Sequence, residues 1–311
     1  MEGDEYRLQR KSVRAELAPF LLFIIIVILV IGIYYLVSKF NLPLAILYYF
    51  IITKLNLISY AMLINVIIRI ALIFALFLPV LHIVFRFVSF TLRKRRGQKI
   101  SIGFSLCEIR FHLLFTLGLT LLILASEFLL PVYLLVPVKN SIDSFVENIQ
   151  LNNRNHPSTS AVVVIGKVAE YVNSSLSSSW SRLEAALEID NMLSDADYAV
   201  LRMLGFHVAH VIFFQKWGFC GEYAIATAYL LDKLGFETRI ARFDNIDHSW
   251  AEVKLNNSWF IVDPWYIGKR YENELLVPAS KLSSLFPEGL NVIVAYFNGT
   301  EVNTSKEHGY S

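Results

Sequence analysis

The sequence predicts a chain in two parts. Three transmembrane α-helices lie in residues 1–138, and an α+β domain with an antiparallel sheet occupies residues 139–311. Three observations carry this reading. Apolar residues make up 55% of the 311, against roughly 45–50% in ordinary globular chains. They concentrate in long uninterrupted runs before residue 138. After it the pattern changes to short amphipathic segments and alternating strands.

The first apolar run, residues 17–38, is bounded by Glu16 and Lys39 and has the ~20 residues that a ~30 Å hydrocarbon core demands. It is too long for the core of a signal peptide, and no small-residue cleavage pattern follows. A second run covers residues 57–90 and contains Arg69 and Arg86. The third covers residues 112–138, with Glu127 inside and Pro131 and Pro137 near its end. Residues 42–52 are apolar but short, as in an interfacial or re-entrant piece.

Charge sets the orientation. The tail carries Arg7, Arg10, Lys11 and Arg14, and the run RKRRGQK follows the second stretch; basic segments of this kind stay cytoplasmic. Two crossings therefore separate them, and the third delivers residues 139–311 to the outside. Residues 1–137 hold fourteen Lys/Arg and six Asp/Glu, whereas residues 138–311 hold fourteen and twenty. That acidic excess excludes nucleic acid as a partner. The lipid bilayer is the partner of the first part, and RKRRGQK is also suited to anionic headgroups. Arg69 and Glu127, ionisable at membrane depth, are read as a pair or as lining a water-filled cleft, ahead of an ion or ligand pathway.

In the second part, helices are expected over residues 141–150, 161–173, 182–193 and 196–210, the last capped by Ser194. His207 and His210 share a face of that helix. No third ligand of suitable spacing accompanies them, so they are read as packed or surface histidines and no metal site is expected. Asn-x-Ser/Thr triplets occur at Asn173, Asn256, Asn298 and Asn303, all beyond the third apolar run. Of the two cysteines, Cys107 falls in the cytoplasmic loop or at the start of the third run, which leaves Cys220 as a lone external thiol.

The stretch 217–265, which opens WGFCGEYA, gathers the candidate chemistry. Cys220 stands at or just before the start of an apolar helix over residues 223–234 that Gly235 stops. Unpaired N–H groups there favour a thiolate, and Gly218 and Gly221 leave room for a substrate backbone. Residues 236–243 alternate as a strand. In HSWAEVKL, the residues His248, Trp250, Glu252 and Lys254 share one face of the next strand. Asn256-Asn257 is a two-residue hairpin signal leading to a strand over residues 258–262. Placing Leu255 opposite Ser258 sets Asp263 opposite Trp250, on a diagonal to His248 and within side-chain reach.

A thiolate, an imidazole and a carboxylate in this order form a nucleophile, its base and the group that orients the base. Cys220, His248 and Asp263 are the expected catalytic residues. The Cys220 N–H, the Trp217 indole and the Gln215 amide are candidate oxyanion donors. Glu222 and Trp250 are candidate substrate contacts, Glu222 alternatively serving only as helix-terminal charge. No cofactor is needed.

The pieces GFCGEYA, LGFETR, DHSWAEV and WFIVDPW resemble the catalytic core of the transglutaminase-like superfamily, and their spelling is most similar to peptide:N-glycanases, which remove N-linked glycans from glycoproteins. The resemblance implies a papain-like fold and places the family's Cys, His and Asp on Cys220, His248 and Asp263. The paired Cys-x-x-Cys zinc motifs of those glycanases are absent from this sequence. The expected activity is amide hydrolysis of external proteins or glycoproteins through a thioester, as a protease or glycanase. Crosslinking by a lysine acceptor, or a binding and assembly module without turnover, are the alternatives.

Overall fold

The computed structural model describes residues 106–155, 160–177, 193–265, 276–286, 288–297 and 299–310, with single positions among residues 28–85. Apart from those single positions and Leu193, the runs expected to span the membrane over residues 17–38 and 57–90, Arg69, and the helix expected over residues 182–193 lie outside the described residues. The chain divides into two compact units, one of residues 1–130 and 193–200, the other of residues 131–192 and 201–311.

The first long element, α1 (Leu106–Asn155), enters both units. Among the described residues it supplies the one unbent helix long and apolar enough to cross a membrane, over Leu117–Asn155. Its first-unit part exposes Leu114, Phe115, Leu117, Leu121, Leu122 and Leu129. Glu127 is fully buried there beside Asp197, whose carboxylate accepts from the Ser194 backbone N–H at 2.6 Å and from its hydroxyl at 2.8 Å.

The sequence suggested separate helices before and after residue 138, but α1 continues through Pro131 and Pro137 without a break. Each proline removes one backbone donor, which a helix tolerates when the freed carbonyls are otherwise accommodated. Beyond them a Lys139–Asp143 ion pair at 3.0 Å links adjacent turns.

In the second unit α2 (Ala161–Ser175) is capped by Ser160, whose hydroxyl accepts from Val163 N. The single helix expected over residues 196–210 is two, α3 (Asp195–Met203) and α4 (Val208–Gln215). Gly205 at φ 76° breaks them apart, in the left-handed region that glycine enters at no steric cost. Ser194 caps α3 as expected, its hydroxyl accepting from Asp197 N. Next come α5 (Cys220–Lys233), β1 (Thr238–Phe243), β2 (Ser249–Leu255) and β3 (Ser258–Val262). After these the chain forms β4 (Val277–Pro278), α6 (Leu282–Leu285), β5 (Val292–Ala295) and β6 (Glu301–Asn303). One-turn 3-10 helices, Ala279–Lys281 and Ser305–His308, precede α6 and follow β6.

The six strands are antiparallel in the order β4-β3-β2-β1-β5-β6. Asn256 and Asn257, at φ 50° and 63°, form the expected hairpin turn, and Leu255 pairs with Ser258 as anticipated. One core joins Ile142, Val146 and Ile149 of α1 to Val168 of α2, Ile212 of α4, Leu230 of α5 and Val253 of the sheet. The other joins Phe243, Trp250, Ile261 and Val294 to Leu282 and Tyr310. The sheet is therefore buried on both faces, and burying each such side chain contributes roughly 1.5–3 kcal/mol.

Candidate active site

The chain reaches Cys220 through a braced approach. Lys216 ends α4 in the left-handed conformation (φ 60°), the Gln215 amide donates to the Trp217 carbonyl at 2.7 Å, and Ser177 pairs with Trp217 in an isolated bridge. The Tyr223 hydroxyl donates to Leu176 O at 2.7 Å, which ties the first turn of α5 to the same segment. Cys220 is the first residue of α5. Its backbone N–H is thus among the four that a helix start leaves without an intrahelical acceptor. Gln215 and Trp217 hold this approach in place; both are almost completely buried.

Glu222 is also buried, and one carboxylate oxygen accepts from Phe219 N at 2.8 Å, closing the helix start from within. This is the helix-terminal role weighed against substrate contact. It also explains a glycine: a Cβ at residue 218 would stand 2.5 Å from the Glu222 Cβ, so Gly218 makes room for the cap. A Cβ at Gly221 meets nothing within 4 Å, so of the two glycines only Gly221 borders open space.

His248 precedes β2 and Asp263 follows β3, and the register of the hairpin brings them together: His248 Nε2 lies 3.0 Å from Asp263 Oδ2. The other Asp263 oxygen accepts from Trp265 N at 3.0 Å. Burial pulls the His248 imidazolium down, but hydrogen bonds to the Asp263 carboxylate and the Cys220 sulfur, and the negative charge of both, reverse this and lift it to about 9. With Nε2 on Asp263, Nδ1 is the nitrogen left for Cys220. The three residues the sequence singled out thus converge. Exposures of 8%, 6% and 4% for Cys220, His248 and Asp263 show a closely covered site. Phe286 and Trp265 are among its cover, with ring centroids 6.0 and 5.9 Å from that of His248.

Trp250 does not reach the surface. It is fully buried, its centroid 5.7 Å from His248, and its indole N–H donates to Glu252 Oε1 at 2.9 Å. Glu252 also accepts from Arg239 Nε at 2.7 Å and His308 Nε2 at 2.6 Å. Burial pushes its carboxyl up, and His308, Arg239 and Trp250 overcome this and hold it below the usual carboxylate range. The sequence placed Glu252 on the strand face of His248 and Trp250 without giving it a role. Nothing local pointed to His308, which is 56 residues away.

His207 and His210 build a helix cap. His207 Nδ1 accepts from Ala209 N at 3.1 Å, and His210 Nδ1 accepts from His207 N at 2.8 Å. Burial, then His210 and Lys233, push His207 down to about 4, and burial is likewise the main cause that lowers His210. Among the described residues no group of three or more His, Cys, Asp or Glu side chains is placed to hold a metal ion.

No curated protein matches the chain. Residues 168–264 match the family model described as transglutaminase-like superfamily, from α2 to the Asp263-Pro264 corner, a span that includes Cys220, His248 and Asp263. This part of the chain is a transglutaminase-like superfamily domain.

Proposed function

We propose that the protein is a membrane-anchored thiol hydrolase that opens amide bonds of external proteins or glycoproteins. The observation that carries this is His248 held by Asp263 at 3.0 Å on one side and bonded to the Cys220 sulfur on the other. Cys220 attacks the amide carbonyl as a thiolate, and the Cys220 backbone N–H is the donor assigned to the oxyanion, with the Trp217 indole as a second candidate. The imidazolium gives its proton to the departing amine as the C–N bond breaks, leaving an acyl thioester. His248 then takes a proton from water, the hydroxide adds to the thioester carbonyl, and the C–S bond breaks to release the acid and restore the thiolate–imidazolium pair. Asp263 keeps the ring oriented and balances its charge.

The anchor consists of spans over residues 17–38, 57–90 and 112–138, with the N-terminus cytoplasmic and residues 139–311 external. The exposed apolar side chains of α1 support the last of these. The peptide:N-glycanase-like spelling around Cys220, His248 and Asp263 makes N-glycopeptides the first substrates to try.

The test is intermediate trapping. The full chain in detergent is mixed with a panel of glycopeptides and peptides, quenched in acid, and Cys220 peptides are weighed by mass spectrometry. A substrate-derived acyl adduct on Cys220, absent in C220A and H248A, is expected. Turnover that survives in C220A contradicts the reading. Addition of an alkylamine separates hydrolysis from crosslinking, because only a crosslinker transfers the acyl group to the amine in preference to water.

A further inference from the structure

The buried cluster around Glu252 lies outside the three residues assigned to chemistry. Its two oxygens receive three donors from three separate parts of the domain: Arg239 on β1, Trp250 on β2 itself, and His308 in the last 3-10 turn. Glu252 and His308 are 0% exposed and Arg239 1%. Arg239 also reaches Glu307 at 2.8 Å and stacks on Trp259 at 4.0 Å. His308 Nδ1 is satisfied by Thr304 O at 2.9 Å. The terminal segment that brings His308 is seated firmly: Tyr310 is buried in the second core, and a Cβ at Gly309 would stand 2.8 Å from Ser280 O.

Stability alone does not account for such a cluster. Ionic groups buried this deeply are commonly replaceable by apolar side chains of similar volume at no loss of stability. What an apolar residue at 252 cannot do is accept the indole proton, and a buried indole N–H needs an acceptor to fix its ring. The ring so fixed stands next to His248, 5.7 Å between centroids and tilted by 32°.

We infer that Glu252, clamped by Arg239 and by His308 from the C-terminal segment, is a positioning residue that holds Trp250 as a rigid wall behind His248. This rests on the thiolate–imidazolium reading of Cys220 and His248. A loose indole gives the imidazole freedom to turn away from the sulfur, and the thiolate loses its partner.

The test is the pH dependence of Cys220 alkylation by iodoacetamide, in the full chain in detergent, for wild type, W250F, E252Q and H248A. W250F keeps a smaller aromatic ring and removes the N–H donor together with part of the indole, whereas E252Q keeps the whole ring and removes the carboxylate charge that clamps it. The expected result is slower alkylation of W250F and E252Q than of wild type at pH 7, by about threefold or more. A folded W250F, with an unchanged circular dichroism spectrum, that alkylates with the wild-type midpoint and rate overturns the inference, whether or not E252Q folds. H248A separates the two levels: if it alkylates as wild type does, the Cys220–His248 pairing itself is wrong, whereas a changed H248A beside an unchanged W250F removes only the role given to Glu252.

Discussion

The domain buries two histidine sites that respond to burial in opposite ways. At the start of α4, His207 and His210 sit among Tyr229, Phe206 and Lys233, and burial, the largest influence on each, prevails: His207 falls to about 4. At the end of the β2–β3 hairpin, burial is again the largest single influence on His248, yet the ring rises to about 9. The difference is the partner. His207 and His210 spend their Nδ1 atoms as acceptors of backbone N–H groups, a role that requires those nitrogens to be unprotonated. His248 faces a carboxylate and a sulfur, both of which favour the cation. Burial alone therefore says little about a histidine's task; what each nitrogen faces decides it.

The most severe way to break this comparison is to remove the carboxylate. D263N leaves burial opposed only by Cys220, so the His248 imidazolium falls and the ring loses its orienting partner. Acylation of Cys220, followed as the pre-steady-state burst of product, is expected to drop by roughly 10³–10⁴-fold, the scale of comparable losses in other triads. A loss under tenfold would place Asp263 outside the working site.

The second contrast is read in stability. His248 is raised above its unfolded value near 6.5, so its contribution is complete below pH 6.5 and disappears as pH climbs through about 9. His207 is depressed, so its contribution is complete above pH 6.5 and disappears as pH falls through about 4. The two limbs meet near pH 6.5, where thermal unfolding should occur at its highest temperature. H248Q should flatten the alkaline limb and leave the acid one. H207N, which keeps a good capping side chain, should flatten the acid limb and leave the alkaline one. Midpoints by differential scanning calorimetry from pH 4 to 9 check both, and an exchange of the two effects would refute the assignment.

A milder change sharpens the cap. The Tyr229 hydroxyl lies 3.2 Å from His210 Nε2. Y229F should cost about 0.5–1.5 kcal/mol, the value of one buried hydrogen bond, in denaturant unfolding, with Cys220 alkylation untouched.

Residues close in sequence made much of this legible. Gly235 announced the end of α5, Asn256-Asn257 the hairpin, and the hairpin register followed from the turn and carried Asp263 toward His248. The single helix expected across residues 196–210 failed at Gly205, because an apolar rhythm persists through a left-handed break that only the backbone reveals. The histidine cap was read as surface or packing for a similar reason: three-residue spacing indicates a shared helix face, and the break moved His207 off the helix into its cap. Strands of two and three residues, β4 and β6, carry too few side chains to show alternation. Contacts such as His308 with Glu252 depend on the finished fold and leave no local trace.

The central claim is that Cys220 and His248 form a thiolate–imidazolium pair at neutral pH. Thiolate absorbance at 240 nm, taken as the difference between wild type and C220S in the full chain from pH 4 to 10, measures it directly. The expected result is thiolate absorbance at pH 7 in the wild type that is absent from H248A. Wild-type and H248A curves that coincide over the whole range would contradict it.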